Sequence, residues 1–530
     1  MAGQPHNPEK RAVVSSFIFH FPNGSSGKPQ VALFQRSDNV STYQHQIAPI
    51  SGSISRNDPD PLTTAWREIS EETKLTSSNL TFWRTGKPFT FIDKSVSREW
   101  TINPFAFRLA KGADEAIEVD WEHEGWQWYD PTKVVNDDGF EDKCVPHLRE
   151  SLRRVWFESE LNDAAGKALG SGLDKLQQDH SSGSHELTTI ALGIFREFIT
   201  QTKDYIFDDR WWEDARMAAW HLVKNGRESM GAATLNALLA ILEEMDEIRR
   251  MDSFPEDTFE RMITIINHHI TGRKGRAGLV KDNFASYVRS NFLSEGQQRE
   301  KLTIVTLSAS STIRDSIIEA FASLDIFTLE LGILESRPLF EGVNFGLSIL
   351  SKSHEQLKDT TNKKLHVNFY TDAAAAIAVK DADIVLLGAD RISRSVGVSN
   401  KIGSLPLVLS AKHVTPTAKV VVLSELEKVN GENGMIDDQK HEDNDPREVT
   451  GTWKADGLKD PGQVEAISRS GRESNSSFTV RNVYFEWIPL ALIDAFVSGE
   501  GVLSNTQIHE KANQQDELAR WYFDSIPIRY

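Results

Sequence analysis

The chain has 530 residues, too many for one ordinary domain, and the usual domain sizes predict two or three. Hydrophobic residues at 39% and charged residues at 26% are a globular balance, while 77 acids against 59 bases leave a net charge of −18. That acidity argues against nonspecific binding to nucleic acid or anionic membrane, and a single cysteine, Cys144, excludes an intrachain disulfide or a multi-cysteine zinc site.

The start, MAGQPHNPEKR, is polar, and the following AVVSSFIFHF is too short and too broken by serine for a signal core. It reads as a first strand. No run approaches the ~20 apolar residues of a bilayer span, so a cytoplasmic protein without membrane contact is expected. Alternating runs then predict strands at Val31–Phe34, Phe89–Ile92, Asn103–Leu109 and Trp126–Tyr129. One helix is predicted among them, Pro61 to about Thr73, and the mixture implies an α+β sandwich over residues 1–160. Residues 161–185 read as a linker, because glycine, serine and polar residues replace any apolar period from Gly166 to His185. A helical part follows over 186–295, with Leu235, Leu238, Leu239, Leu242 and Met245 on one stripe. Over 296–530, strands at Leu302–Thr306, Phe327–Leu334, Leu365–Tyr370, Ile384–Gly388 and Lys419–Leu423 alternate with helical stretches. They predict a parallel, doubly wound sheet. Residues 430–477 are acidic, glycine-rich and nearly free of large aliphatics, so a disordered insertion is expected there. The fold class is α/β multidomain.

The stretch GSISRNDPDPLTTAWREISEETKL from Gly52 to Leu75 carries the first chemical signal. Asp60 and Pro61 fix the start of the helix, and Leu62, Ala65, Trp66 and Ile69 form its apolar stripe. Glu68, Glu71 and Glu72 fall at i, i+3 and i+4, an acidic stripe beside it. A solvated face is the ordinary meaning of such a stripe, but a hard divalent cation would also relieve its repulsion.

With Gly52 ahead of the helix, and Arg67, Glu68, Ile69, Glu71, Glu72 and Leu75 in order, the stretch resembles the Nudix box. The resemblance implies an α/β/α sandwich that hydrolyses a nucleoside-diphosphate-linked small molecule with Mg²⁺ or Mn²⁺. In it Glu68, Glu71 and Glu72 hold the metal, Glu68 also serves as a possible base, and Arg67 orients the acids. Three positions depart from the box. Pro59 stands where an upstream glutamate is usual, Gly52 is one residue too far from the helix, and Lys74 replaces a glycine. Glu122 and Glu124 are weaker candidates for an additional base or substrate contact.

In the second half, polar residues follow the carboxyl ends of predicted strands, where α/β sheets bind ligands. They are Ser308, Ser310 and Ser311, then Glu335 and Arg337, Asp372 and Asp390, and Asn400 and Lys401. The segments ESRP, GADRI, NKIG and NVYFEWIP, with the preceding helical zone, resemble the family uniting the alpha, beta and delta subunits of translation initiation factor 2B with two sugar-phosphate isomerases. Those isomerases act on methylthioribose-1-phosphate and ribose-1,5-bisphosphate. The resemblance implies a Rossmann-like domain, a sugar-phosphate ligand contacted by Arg337 and Lys401, and a homodimer through this domain. The active isomerases pair a cysteine with the aspartate of GADRI. Here Asp390 is present but Ser308 stands in the cysteine's place, and a hydroxyl is a poorer proton donor than a thiol. The expected function is a metal-dependent hydrolase joined to a sugar-phosphate-binding domain without isomerase activity. The alternative is an initiation-factor-like regulator whose first domain only binds.

Overall fold

The computed structural model describes residues 8–22, 29–180, 182–251, 257–294, 298–356, 362–432, 434–436, 438, 444–455, 457 and 479–529. The chain divides into two compact units. One comprises Met1–Gln178, Ile194–Gly226 and Ser525–Tyr530, and the other Asp179–Gly193 and Arg227–Asp524. These units cut across the boundaries read from the sequence, which assigned residues 186–295 wholly to the second half.

The first unit is built on an eight-stranded mixed sheet of β1 (Glu9–His20), β2 (Gln30–Arg36), β3 (Ile47–Ala48), β4 (Ile50–Ser53), β5 (Leu80–Thr85), β6 (Phe89–Asp93), β7 (Arg98–Leu109) and β8 (His123–Tyr129). The order β3-β2-β1-β7-β5 forms its spine, with β4 on β1, β6 on β7 and β8 on β2. Period-two alternation decides which core each side chain enters. Val14 and Ile18 of β1 join Phe34, Phe105 and Phe107 under Ala65 and Ile69 of the helix α1 (Pro61–Thr73). Phe17 and Phe19 face the opposite side with Val31, Leu33, Leu148, Leu152 and Val155. Helices thus cover both faces of the sheet, as the sequence implied.

The segment read as a linker is mostly helix. Asp163–Gln178 buries Ala165, Leu169, Leu173 and Leu176 on one side. Its glycines mark close approaches rather than flexibility. A methyl at Gly170 would meet Glu158 Oε1 at 2.7 Å, and one at Gly172 would meet the Ile194 side chain at 2.6 Å.

The second unit contains the parallel sheet formed by β9 (Arg299–Thr306), β10 (Ile326–Leu334), β11 (Lys364–Tyr370), β12 (Ile384–Leu387), β15 (Lys419–Leu423) and β18 (Ala495–Ser498), with antiparallel β19 (Gly501–Leu503) at one edge. Its order is β11-β10-β9-β12-β15-β18-β19. The chain therefore winds outward from β9 in one direction and from β12 in the other, which makes the gap between them a topological switch point. A small sheet of β13 (Arg391–Ser393), β14 (Gly397–Lys401), β16 (Val429–Asn430) and β17 (Phe485–Ile488) lies beyond the end of β12 in sequence.

The region expected to be disordered from 430 to 477 is ordered where it is described. Met435 and Ile436 are buried. A helix runs over Pro446–Ala455, and its Glu448 accepts from Asn482 Nδ2 at 2.7 Å and from the Tyr484 hydroxyl. Polar contacts hold this helix, so a reading based on missing aliphatics could not find it. Residues 458–478 lie outside the described residues. Among the described residues no helix is long and apolar enough to cross a membrane.

Candidate functional site

Helix α1 begins where its sequence dictates. Asp60 accepts from Thr63 N at 2.8 Å, and Pro61 occupies the first turn. Its three glutamates then meet different surroundings. Glu71 is exposed, Glu68 is half-buried, and Glu72 is only 2% exposed. Arg67 spans two of them, with Nη1 at 2.8 Å from Glu68 and 3.0 Å from Glu71. Its Nη2 reaches Asp58 at 3.1 Å and donates to Ser53 O at 3.4 Å. Asp58 also accepts from Ser55 N and Thr64 Oγ1, and the Arg67 guanidinium leads these partners in holding its carboxyl down to about 2. Although the upstream glutamate position holds Pro59, the adjacent acid therefore ties the loop to Arg67. Gly52 lies against Glu68, where a methyl group would fall 1.9 Å from the carboxyl carbon.

Glu72 meets His123 Nε2 at 2.6 Å, while its Oε1 is buried with no hydrogen-bond partner among the described residues. Burial, then the charges of Glu122, Glu68 and Asp120, push the Glu72 carboxyl well up. Burial also raises Glu68 and Glu122, and lowers His123 to about 4. Burial thus disfavours the charged form of both partners. Burial lowers Arg36, against the opposing pull of Glu122 and Glu72. Glu72 and Glu122 thus lie raised beside a cation whose pull offsets their burial only in part.

Glu122 joins this cluster and Glu124 does not. The β2–β8 register shifts between Gln35 and Arg36, which pair with Gly125 and His123 and leave Glu124 as the bulged residue. Glu124 turns to solvent and meets His45 at 2.7 Å. Of the two candidates named from the sequence, the structure therefore brings Glu122 near the acids of α1 and leaves Glu124 at the surface. Asp58, Arg36 and His123 are additions; spacing alone gave no signal for the last two.

The donors suit a hard cation, since they are carboxylates, mutually repelling, with one buried oxygen unsatisfied. As they stand, however, no three acid or imidazole groups among the described residues converge closely enough to hold an ion. Glu68 is engaged by Arg67 and Glu72 by His123, so binding a metal would require those two contacts to rearrange.

In the second unit the switch point gathers several of the residues named from sequence. Ser308 is buried just past β9, and its Oγ accepts from Gly388 N at 2.9 Å and Asn400 Nδ2 at 3.1 Å. Asn400 also donates to Ser404 Oγ at 2.9 Å. Asp390 is enclosed but keeps some accessible surface, and burial raises its carboxyl against the pull of Lys428, Arg227, Lys401 and Arg391. Lys401 pairs with Glu341, and its ammonium lies 4.5 Å from the Tyr484 ring centre. Ser310 caps the helix Ser311–Ser323, accepting from Thr312 N, and Ser311 is exposed at its first position. Asp372 accepts from the backbone N–H of Ser336 and of Arg337 at 2.9 and 2.7 Å, while Glu335 accepts from Arg337 Nε at 2.9 Å. Ser308, Asn400 and Gly388 are thus in direct contact. Glu335 and Arg337 form a neighbouring group held by Asp372.

The comparisons find two family regions in the chain, and the second of them takes in residues 194–226 of the first unit. The model of the Initiation factor 2 subunit family matches residues 183–505, and that of the NUDIX domain matches residues 14–148. A methylthioribose-1-phosphate isomerase from Pseudomonas paraeruginosa is 30% identical over 156 residues, 29% of this chain and 38% of the isomerase. The chain thus spans under two fifths of that relative's length. Among solved structures, the Pyrococcus horikoshii translation initiation factor eIF-2B is 17% identical, with 63% of this chain and 96% of that one covered at a TM-score of 0.43. The tetrameric eIF2B-beta2-delta2 complex of C. thermophilum gives 12% identity, 68% and 98% coverage and a TM-score of 0.46. The chain belongs to the Initiation factor 2 subunit family and carries a NUDIX domain ahead of it.

Proposed function

We propose that the first unit hydrolyses a nucleoside-diphosphate-linked compound with Mg²⁺ or Mn²⁺, and that the second binds a sugar phosphate without isomerising it. One observation carries the first reading. Glu68, Glu72 and Glu122 are each pushed up by burial first and by neighbouring acids after it, and Glu72 keeps a buried oxygen with no hydrogen-bond partner among the described residues. A divalent ion at such a group supplies charge neutralisation and an activated water. Glu68, Glu72 and Glu122 would hold it, Glu71 would stand at its edge, and Arg67 would keep Glu68 in place through its bridge to Asp58. His123 would orient Glu72 through the bond they share.

For the second unit, the support is the fixed Ser308 hydroxyl. It is held as an acceptor by Gly388 and Asn400 and lacks the acidity of a thiol. Asp390, whose carboxyl is raised, and the neighbouring cations Lys401 and Arg227 still suit an anionic sugar.

A diphosphate panel including ADP-ribose, NADH and dinucleoside polyphosphates, assayed with each metal, tests the hydrolase. Wild type should turn over at least one compound, and Glu72→Gln should lose about a hundredfold or more of that rate. Equal rates in both proteins would sink the reading. In the same series, methylthioribose-1-phosphate should bind without being isomerised.

A further inference from the structure

Trp121 is 62% exposed, although large aromatic side chains usually cover their rings. It has no aromatic or cation–π partner among the described residues. Its backbone is nevertheless fixed. Ser37 Oγ donates to Trp121 O at 2.9 Å, and Ser37 N donates to Glu122 O at 2.8 Å. On the other side, Asp120 N donates to Glu72 O at 3.2 Å, while Asp120 Oδ1 accepts from Glu122 N at 3.0 Å. This turn is therefore tied both to the end of β2 and to the end of α1. A rigid turn that presents an open indole next in sequence to Glu122 is not explained by packing.

Arg36 closes β2 beside the same turn. Its Nε donates to Thr42 O at 3.3 Å, yet it makes no ion pair among the described residues, despite the nearby charges of Glu122 and Glu72. Glu72 Oε1 adds the unsatisfied buried oxygen described above. Main-chain hydrogen bonds thus run from the turn carrying the exposed Trp121 to Ser37 beyond the end of β2, next to an Arg36 that makes no ion pair among the described residues. They run also to Glu72 in α1, a path of backbone contacts from Trp121 to Glu72.

We propose that this path is the subsite for the nucleoside diphosphate part of the substrate, with the planar base stacked on Trp121 and a phosphate oxygen paired to Arg36. The inference rests on the hydrolase reading and deepens it by assigning the substrate's aromatic end. Stacking on an indole is strong and tolerant of base identity, because every base has a π face. An unpaired guanidinium suits a phosphate through paired N–H donors.

Calorimetric titration of the full chain with ADP and with inorganic pyrophosphate, each in Mg²⁺, separates these parts. Trp121→Ala should weaken ADP about tenfold and leave pyrophosphate within about twofold, while Trp121→Phe retains ADP binding. Arg36→Gln, if its melting curve shows it folded, should weaken both ligands; otherwise the Trp121 pair alone decides. Unchanged ADP affinity in Trp121→Ala, or equal loss for both ligands, overturns the subsite. A wild type that binds pyrophosphate but not ADP overturns the subsite alone. One that binds neither overturns the hydrolase reading together with it.

Discussion

Gly52 pairs with Val14 across β4 and β1, and its missing side chain leaves the space that the Glu68 carboxyl fills. An added methyl would collide with the far end of a flexible side chain, so Glu68 would swing aside while the strand stays in place. Gly52→Ala is therefore expected to cost about 1 kcal/mol or less of stability. It should lower kcat/KM on a diphosphate substrate by about tenfold or more, because a displaced carboxylate no longer meets the reacting group. A variant with unchanged kcat/KM would show that Glu68 does not act from this position. At this scale the sequence disclosed residue types better than residue surroundings. Glu68, Glu71 and Glu72 were legible by spacing, but their split into half-buried, exposed and buried depends on Arg36 and His123 arriving from β2 and β8 and on Glu122 from the turn before β8. The bulge that turns Glu124 to solvent is a property of strand pairing, and no local pattern announces it.

Helix α1 shows what local signals do settle. Its start and end, Pro61 and Thr73, match the reading from Asp60-Pro61 and the apolar stripe. Its far end carries a cost. Lys74 caps the helix in the left-handed region at φ 60°, with its N–H on Ser70 O at 3.2 Å. That conformation costs a residue with a Cβ about 1–2 kcal/mol, and glycine adopts it freely. The side-chain bond from Lys74 Nζ to Glu71 O at 3.1 Å is exposed and offsets little. Lys74→Gly should thus stabilise the first unit by about 0.5–1 kcal/mol, after the greater freedom of glycine in the unfolded chain is counted. Equilibrium denaturation would check it, and a loss of similar size would mean that the lysine contact matters more than the backbone. The helix Asp163–Gln178 failed to show itself for the opposite reason. Its glycines at 166, 170 and 172 look like punctuation until the neighbours they admit are known, Glu158 and Ile194 among them. The stripe Ala165, Leu169, Leu173, Leu176 was present but masked by that composition.

At the scale of the whole molecule, the first unit is assembled from three separated stretches, and the last of them is very short. Residues from Ser525 onward return to it. Arg154, a buried side chain, donates to Pro527 O at 3.1 Å, and Arg216 donates to Ser525 Oγ at 2.7 Å. The Arg529 guanidinium reaches Asp214 at 2.6 Å, Glu213 at 3.2 Å and Glu160 at 3.3 Å, and its backbone N–H donates to Glu150 at 3.2 Å. A chain ending at Asp524 would leave Asp214 and Glu160 without this cation, and removing one partner of a buried pair costs about 3 kcal/mol or more. In a unit of roughly 200 residues that is a fall in Tm of about 6–12 °C. The loss should depend on pH. Burial outweighs Arg529 and lifts the Asp214 carboxyl from an ordinary 3.8 to about 6. The folded state therefore already binds a proton that the unfolded chain releases, and stability falls as pH rises through that window. Without Arg529 the carboxyl rises further and the window extends upward, so the Tm gap between full-length and truncated chains should widen from about pH 5 to about pH 8. Paired melting curves across that range decide it. A gap that stays constant would mean that the tail holds the unit through Arg154 and packing alone, and a gap of zero would remove the tail from the fold of this unit.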